Sequence, residues 1–151
     1  MKHVGSLIAF LIVTASAAAF GAAFGPGSWY DEIAKPGWTP PDWLFGPVWT
    51  LLYAMIAIAG WRLWTRRARP ALALWVVQLV LNALWSWIFF GLHNLGLAFA
   101  DIALLWLAIV ATIVLARRPD PWAAGLLVPY LLWVTFAAAL NFSIWQMNSI
   151  G

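Results

Sequence analysis

The 151-residue chain contains no cysteine, which excludes disulfides, thiolate nucleophiles and cysteine-ligated metal centres. Charge is almost as scarce. Five acidic and eight basic side chains make up 9% of the residues, where soluble domains carry about a quarter. Apolar residues take up the difference: 65% of the chain is hydrophobic and the mean hydropathy is +0.88, values that suit a chain dissolved in lipid. Thirteen residues are Trp, which joins a large apolar ring to a single N–H donor.

Five stretches lack Asp, Glu, Lys and Arg altogether: Val4 to Tyr30, Trp43 to Trp61, Pro70 to Ala100, Ile102 to Ala116, and Pro121 to Gly151. A spanning helix needs roughly 20 residues. The third stretch is too long for one span and breaks at the turn-forming residues 91–96, Gly-Leu-His-Asn-Leu-Gly. The reading is an all-α integral membrane protein: a single domain over residues 1–151, with five transmembrane helices at about 5–25, 43–64, 71–90, 97–116 and 122–146. Period-2 alternation is missing, which argues against a barrel, and there is no internal repeat of the transporter kind.

With five spans, Lys2, Arg62, Arg66, Arg67, Arg69, Arg117 and Arg118 share one side, and Lys35 alone lies on the other. Basic loops stay inside, so the amino terminus is expected in the cytoplasm and the long first loop outside a bacterial-type membrane. Juxtamembrane arginine explains these charges, so no nucleic-acid partner is expected. The first segment resembles a signal peptide, but its apolar run continues to Phe24, and retention is expected. Gly21 and Gly25 form a GxxxG pair suited to a close helix contact.

Depth along each span, at about 1.5 Å per residue, sorts the aromatics. Trp61, Trp64, Trp75 and Trp122 fall near the inner interface, and Trp38 and Trp43 near the outer one, where anchoring accounts for them. Trp49, Tyr53, Trp85 and Trp133 fall deeper. Gln78, Asn82 and Ser86 recur every four residues on one face of the third span, and Tyr130, Trp133, Ala137 and Asn141 form a stripe on the fifth. Asp101 is the lone carboxylate inside a span, by default a functional residue. The outer-half residues converge beneath a loop stiffened by Pro36, Pro40 and Pro41, with Gly37 as its pliant joint. This predicts a lidded aromatic pocket. Pro129 should kink the fifth span beside Trp133. Such walls suit a large, flat, mostly apolar molecule, a tetrapyrrole or a sterol. His3, at the terminus, and His93, in a turn, are read as solvated rather than as metal ligands, and no metal site or obligatory cofactor is expected.

In these segments the chain resembles the TspO/MBR family, the translocator proteins or peripheral-type benzodiazepine receptors. The motifs are Trp29-Tyr30 with Lys35-Pro36-Gly37-Trp38-Thr39-Pro40-Pro41; Gly46-Pro47-Val48-Trp49-Thr50-Leu51-Leu52-Tyr53; Gln78 to Trp85; and Pro129 to Trp133 continuing to Leu140-Asn141. The resemblance implies a cavity closed by the first loop, frequent homodimers, and binding of protoporphyrin IX, haem and isoquinoline or benzodiazepine-type ligands. Carried over by motif, the ligand-binding residues are Trp38, Trp49, Tyr53, Asn82, Trp85, Trp133 and Ala137, with Asp101 as a polar partner; Asn141 joins them from the stripe.

The chain departs from the family pattern at three places. Phe142 and Gln146 stand where the animal sterol pattern has Tyr and a basic residue, and Ala73 and Val77 replace a GxxxG pair of some members. Some bacterial members are linked to light-dependent porphyrin breakdown at two cavity tryptophans, of which Trp49 matches one while Phe142 stands at the other. The expected function is a membrane receptor or carrier for tetrapyrroles. Two alternatives are a light-dependent porphyrin-degrading enzyme, and a transporter coupled through Asp101.

Overall fold

The structure, a computed structural model, describes residues 2–149; the Lys2 side chain, part of the expected charge asymmetry, lies outside the described residues. Five helices are long and apolar enough to cross a membrane. They are α1 (Lys2–Ala22), α3 (Asp42–Thr65), α4 (Arg69–Ser86), α5 (Leu95–Ala116) and α6 (Pro121–Ser149), with a short helix, α2 (Ser28–Glu32), in the first loop. Among the described residues there is no strand. The protein is an all-α, five-helix integral membrane bundle.

Local chemistry sets the helix ends. Asn94 caps α5 by accepting from the Leu97 N–H at 2.9 Å, and Asp120 does the same for α6, accepting from the Ala123 N–H at 3.0 Å just before Pro121 at the first helical position. α3 closes with Arg67 at φ 55°, its N–H bonded to the Trp64 carbonyl and that of Ala68 to the Leu63 carbonyl. This is the paired helix stop usually built on glycine. α6 runs unbroken through Pro129. α4 continues into a π-helical turn, Trp87–Gly91, which spacing did not anticipate.

The spans close into a ring: α1 packs on α3, α3 on α6, α6 on α5, α5 on α4 and α4 back on α1. The end of the ring that carries the arginines is solid. Leu52, Ile56, Leu63, Trp75, Leu79, Leu105, Ile109 and Leu127 interlock there. A smaller cluster around Tyr30, Ile88, Phe89, Leu140 and Ile144 lies under the first loop, and between the two clusters the ring is hollow.

One expected anchor is corrected. Trp75 is only 2% exposed: its ring lies flush on Gly60 of α3 and its Nε1 donates to the Ile56 carbonyl at 2.9 Å. Depth along a helix does not tell which face a residue occupies, and Ala71, Trp75, Gln78, Leu79 and Asn82 form the inward stripe of α4. Trp43 and Trp122, at 71% and 75% exposure, do lie open at span ends, as do Trp38 and Trp64. Ala73 and Val77 are on the outward face of α4.

Candidate functional site

The hollow is a cavity of about 350 Å³ at the lid end of the ring, within the roughly 300–1,000 Å³ usual for ligand pockets. Of the expected site residues, Trp49 and Tyr53 on α3, Asn82 and Trp85 on α4, and Trp133, Ala137 and Asn141 on α6 all line it. Trp38 and Asp101 do not. Trp38 is in the lid with its ring edge-on to Phe136, 5.7 Å between centroids, and is half exposed. Asp101 is 7% exposed in α5 outside the lining, with Oδ2 unpartnered.

The aromatic wall is built from two groups of rings. Trp49 is 5.4 Å from Tyr53 and meets Trp133 edge-on at 6.4 Å and 89°; Trp85 lies 5.0 Å from Phe89. Phe89 and Phe90 belong to the π-helical turn, whose extra residue widens the helix so that neighbouring side chains both border the cavity. Sequence spacing alone does not disclose such a turn.

The polar groups of the wall satisfy one another. Tyr53 O–H donates to Asn82 Oδ1 at 2.7 Å, and Asn82 Nδ2 donates to the Tyr130 hydroxyl at 2.7 Å, tying α3, α4 and α6. Trp85 Nε1 donates to Asn141 Oδ1 at 3.0 Å, and Asn141 Nδ2 to the Leu95 carbonyl at 3.0 Å, tying α4, α6 and α5. One fully buried donor in the lining, Trp133 Nε1, has no partner among the described residues. The lining contains no charged side chain and no His or Met.

Gly21 brings α1 against α4: a Cβ there would lie 3.3 Å from Ser86 Oγ. Gly25, its GxxxG partner, opens instead onto the side of the cavity. With Ala22, Pro26, Gly46 and Thr50 it lines the cavity and is exposed, so the mouth is on the flank between α1 and α3.

The lid is held at several points. Asn148, on the last turn of α6, donates to the Ala34 carbonyl at 2.9 Å and accepts from the Ala34 N–H at 3.1 Å. Lys35 Nζ donates to the Tyr30 and Ile33 carbonyls and lies 4.6 Å over the Tyr30 ring. Burial, and then the charges of Asp42 and Asp31, push the Tyr30 phenol up from its ordinary value. His93, at φ 54°, stacks on Trp29 with 4.1 Å between centroids, outside the cavity.

The TspO/MBR family model covers residues 7–146. The chain belongs to the TspO/MBR family. It is 46% identical over 145 residues to the protein CrtK of Rhodobacter capsulatus, covering 92% of this chain and 90% of that one. It is 38% identical over 142 residues to a tryptophan-rich sensory protein of Cereibacter sphaeroides (93% and 90% covered) and 40% identical over 126 residues to the human translocator protein (80% and 75%). In this TspO/MBR chain Phe142 lies outside the cavity against Phe99 and Trp145 and is 44% exposed.

At the opposite end, Asp120 accepts from Arg62 Nε and Nη2 at 3.2 and 3.1 Å, with Arg66 Nε 3.5 Å away. Burial alone would push its carboxyl up. The Ala123 N–H, the Arg62 hydrogen bonds and the two guanidinium charges outweigh that and hold it below the usual carboxylate range. Asp120 was missed in the sequence reading, although Asp-Pro at the start of an apolar run is a helix-start signal.

Proposed function

We propose that this TspO/MBR protein is a membrane receptor that takes a flat, largely apolar ligand into the aromatic cavity, with tetrapyrroles such as protoporphyrin IX or haem as the leading class and isoquinoline or benzodiazepine-type molecules as smaller occupants. The observation that carries the reading is a cavity walled by Trp49, Tyr53, Trp85, Phe89 and Trp133, free of charged side chains, in which the Trp133 Nε1 donor is fully buried and without a partner among the described residues. A macrocycle would stack on the indoles, accept a hydrogen bond from Trp133 and keep its acidic edges toward the flank or the lid. A haem would be held by its ring, since no side chain of the lining is a customary haem ligand except the two tyrosines. The names of the relatives, tryptophan-rich sensory protein and translocator protein, agree with a receptor or carrier role. By the Lys/Arg asymmetry, the lid faces away from the cytoplasm.

Quenching of tryptophan fluorescence by protoporphyrin IX is the direct test. The wild type should quench saturably, and Trp49→Ala and Trp133→Ala should each shift the titration to higher concentration. Equal titrations for wild type and both variants would remove the cavity from the account.

The edge-on contact of Trp49 with Trp133 supports a second reading, in which the excited porphyrin exchanges electrons with these indoles and is degraded. Illuminating the complex in air distinguishes them. Loss of the Soret band faster than for free porphyrin, abolished in Trp49→Phe, favours degradation, whereas unchanged pigment favours binding alone.

A further inference from the structure

At the end of the bundle opposite the lid, the first turn of α1 and the last turn of α3 border a second depression of about 360 Å³, lined by His3, Trp61, Arg62, Thr65, Arg66 and Asp120. Its charges do not cancel. The buried Asp120 carboxylate is shared between Arg62 and Arg66, at 3.0 and 3.5 Å from Oδ2, so two guanidiniums face one carboxylate and one positive charge is left over. Arg62 spends Nε and Nη2 on Asp120, which leaves Nη1 unused among the described residues. The Arg66 side chain is 60% exposed, and its only polar contact among the described residues is the long one through Nε. Trp61 fixes the rim, its Nε1 donating to Ser6 Oγ of α1 at 3.1 Å.

The depression continues into an apolar track. Leu51, Ile58 and Thr65 recur every seven residues and so share one face of α3, and Leu51 and Ile58 are exposed along the flank of the bundle that lipid covers. A free cationic fork, an indole at the end of a span and an apolar stripe running from it into the membrane are together what a phospholipid presents in mirror image.

We propose that this depression binds the headgroup phosphate of an anionic phospholipid, with one acyl chain lying along Ile58 and Leu51. A phosphodiester carries one negative charge, which matches the charge that Asp120 leaves uncompensated, and planar guanidiniums suit paired phosphate oxygens. A zwitterionic lipid brings its own ammonium into the same space and meets Arg62 and Arg66. The site discriminates by that second charge.

Native mass spectrometry of the full chain, titrated with phosphatidylglycerol or phosphatidylcholine, tests this. The wild type should retain phosphatidylglycerol about fivefold better, the equivalent of about 1 kcal/mol for one basic side chain. Arg66→Gln should erase the preference, and Arg118→Gln, the same charge change at an exposed position outside the depression, should leave it intact. Ile58→Trp, which adds apolar bulk on the lipid-facing flank without placing a charge inside the span, should cut phosphatidylglycerol retention by blocking the track. Equal retention of the two lipids, or an equal loss in Arg118→Gln, would reduce the effect to diffuse charge and overturn the site. Unchanged retention in Ile58→Trp would overturn the seating of the chain. Displacement of the lipid by millimolar inorganic phosphate would reassign the site to a free anion; no displacement supports the lipid.

Discussion

Gly60→Ala tests the solid end of the bundle. A Cβ at Gly60 would lie 2.4, 2.6 and 2.8 Å from Cε2, Cζ2 and Nε1 of Trp75. The indole is rigid, so it must retreat by roughly 1 Å to reach ordinary carbon contact near 3.5 Å. That movement stretches the 2.9 Å bond from Nε1 to the Ile56 carbonyl past its useful range. Overpacking costs about 1–3 kcal/mol and the unpaired buried donor about as much again, while the better helix propensity of Ala returns about 1 kcal/mol. The net expectation is a loss of about 1–5 kcal/mol. For a chain of this size each kcal/mol lowers the melting temperature by about 2–4 °C, so a drop on the order of 10 °C should appear in thermal unfolding followed by intrinsic fluorescence in detergent. Trp75→Phe is the informative background, because the shorter ring vacates the contact, and there Gly60→Ala should be neutral or mildly stabilising. A wild-type melting temperature for Gly60→Ala, or the same drop in both backgrounds, would refute the packing argument.

Three further outcomes are expected. Asp120 has a folded-state pKa held below its unfolded value, so its stabilising contribution is complete above about pH 4 and fades as pH falls through the folded pKa; melting temperatures from pH 6 down to pH 3 should fall for the wild type and flatten for Asp120→Asn. Trp133→Phe keeps a ring in the cavity wall but deletes the unpaired donor, so protoporphyrin affinity should fall about threefold to tenfold with no loss of melting temperature, whereas Trp133→Ala should lower both. Gly46→Phe adds bulk at the flank mouth, where a Cβ meets nothing within 4 Å; stopped-flow quenching should show slower entry with stability unchanged, and an unaltered rate would move the mouth elsewhere.

Much of the cavity was legible because hydrophobic runs fix depth and helical spacing fixes faces. Asn82 with Ser86, and Trp133 with Ala137 and Asn141, could be put on shared helix faces from spacing alone, and they line one space. What spacing could not give is the angular position of each helix. Trp75 shares its stripe with Gln78 and Asn82, but without Gly60 opposite it there was no way to tell a buried ring from an anchoring one. Asp101 shows the same limit, with the right depth but a place outside the lining, and Trp38, carried over by motif rather than by depth, falls outside it too. Pairings across long separations were out of reach as well, as with Arg62 and Asp120, which are 58 residues apart. The π-helical turn leaves no periodic trace, yet it supplies two of the aromatic walls.

The two hydrogen bonds between Ala34 and Asn148 join positions 114 residues apart, and Trp133, Ala137 and Asn141 complete the cavity from the same final helix. During synthesis four spans can enter the membrane and pack before Trp133, Ala137, Asn141 or Asn148 has left the ribosome. Until then the cavity lacks a wall and the lid has nothing to fasten to. If the cavity is the receptor site proposed above, capture belongs to the chain with its last helix in place, and a prematurely terminated product would insert as a bundle with an open-sided cavity.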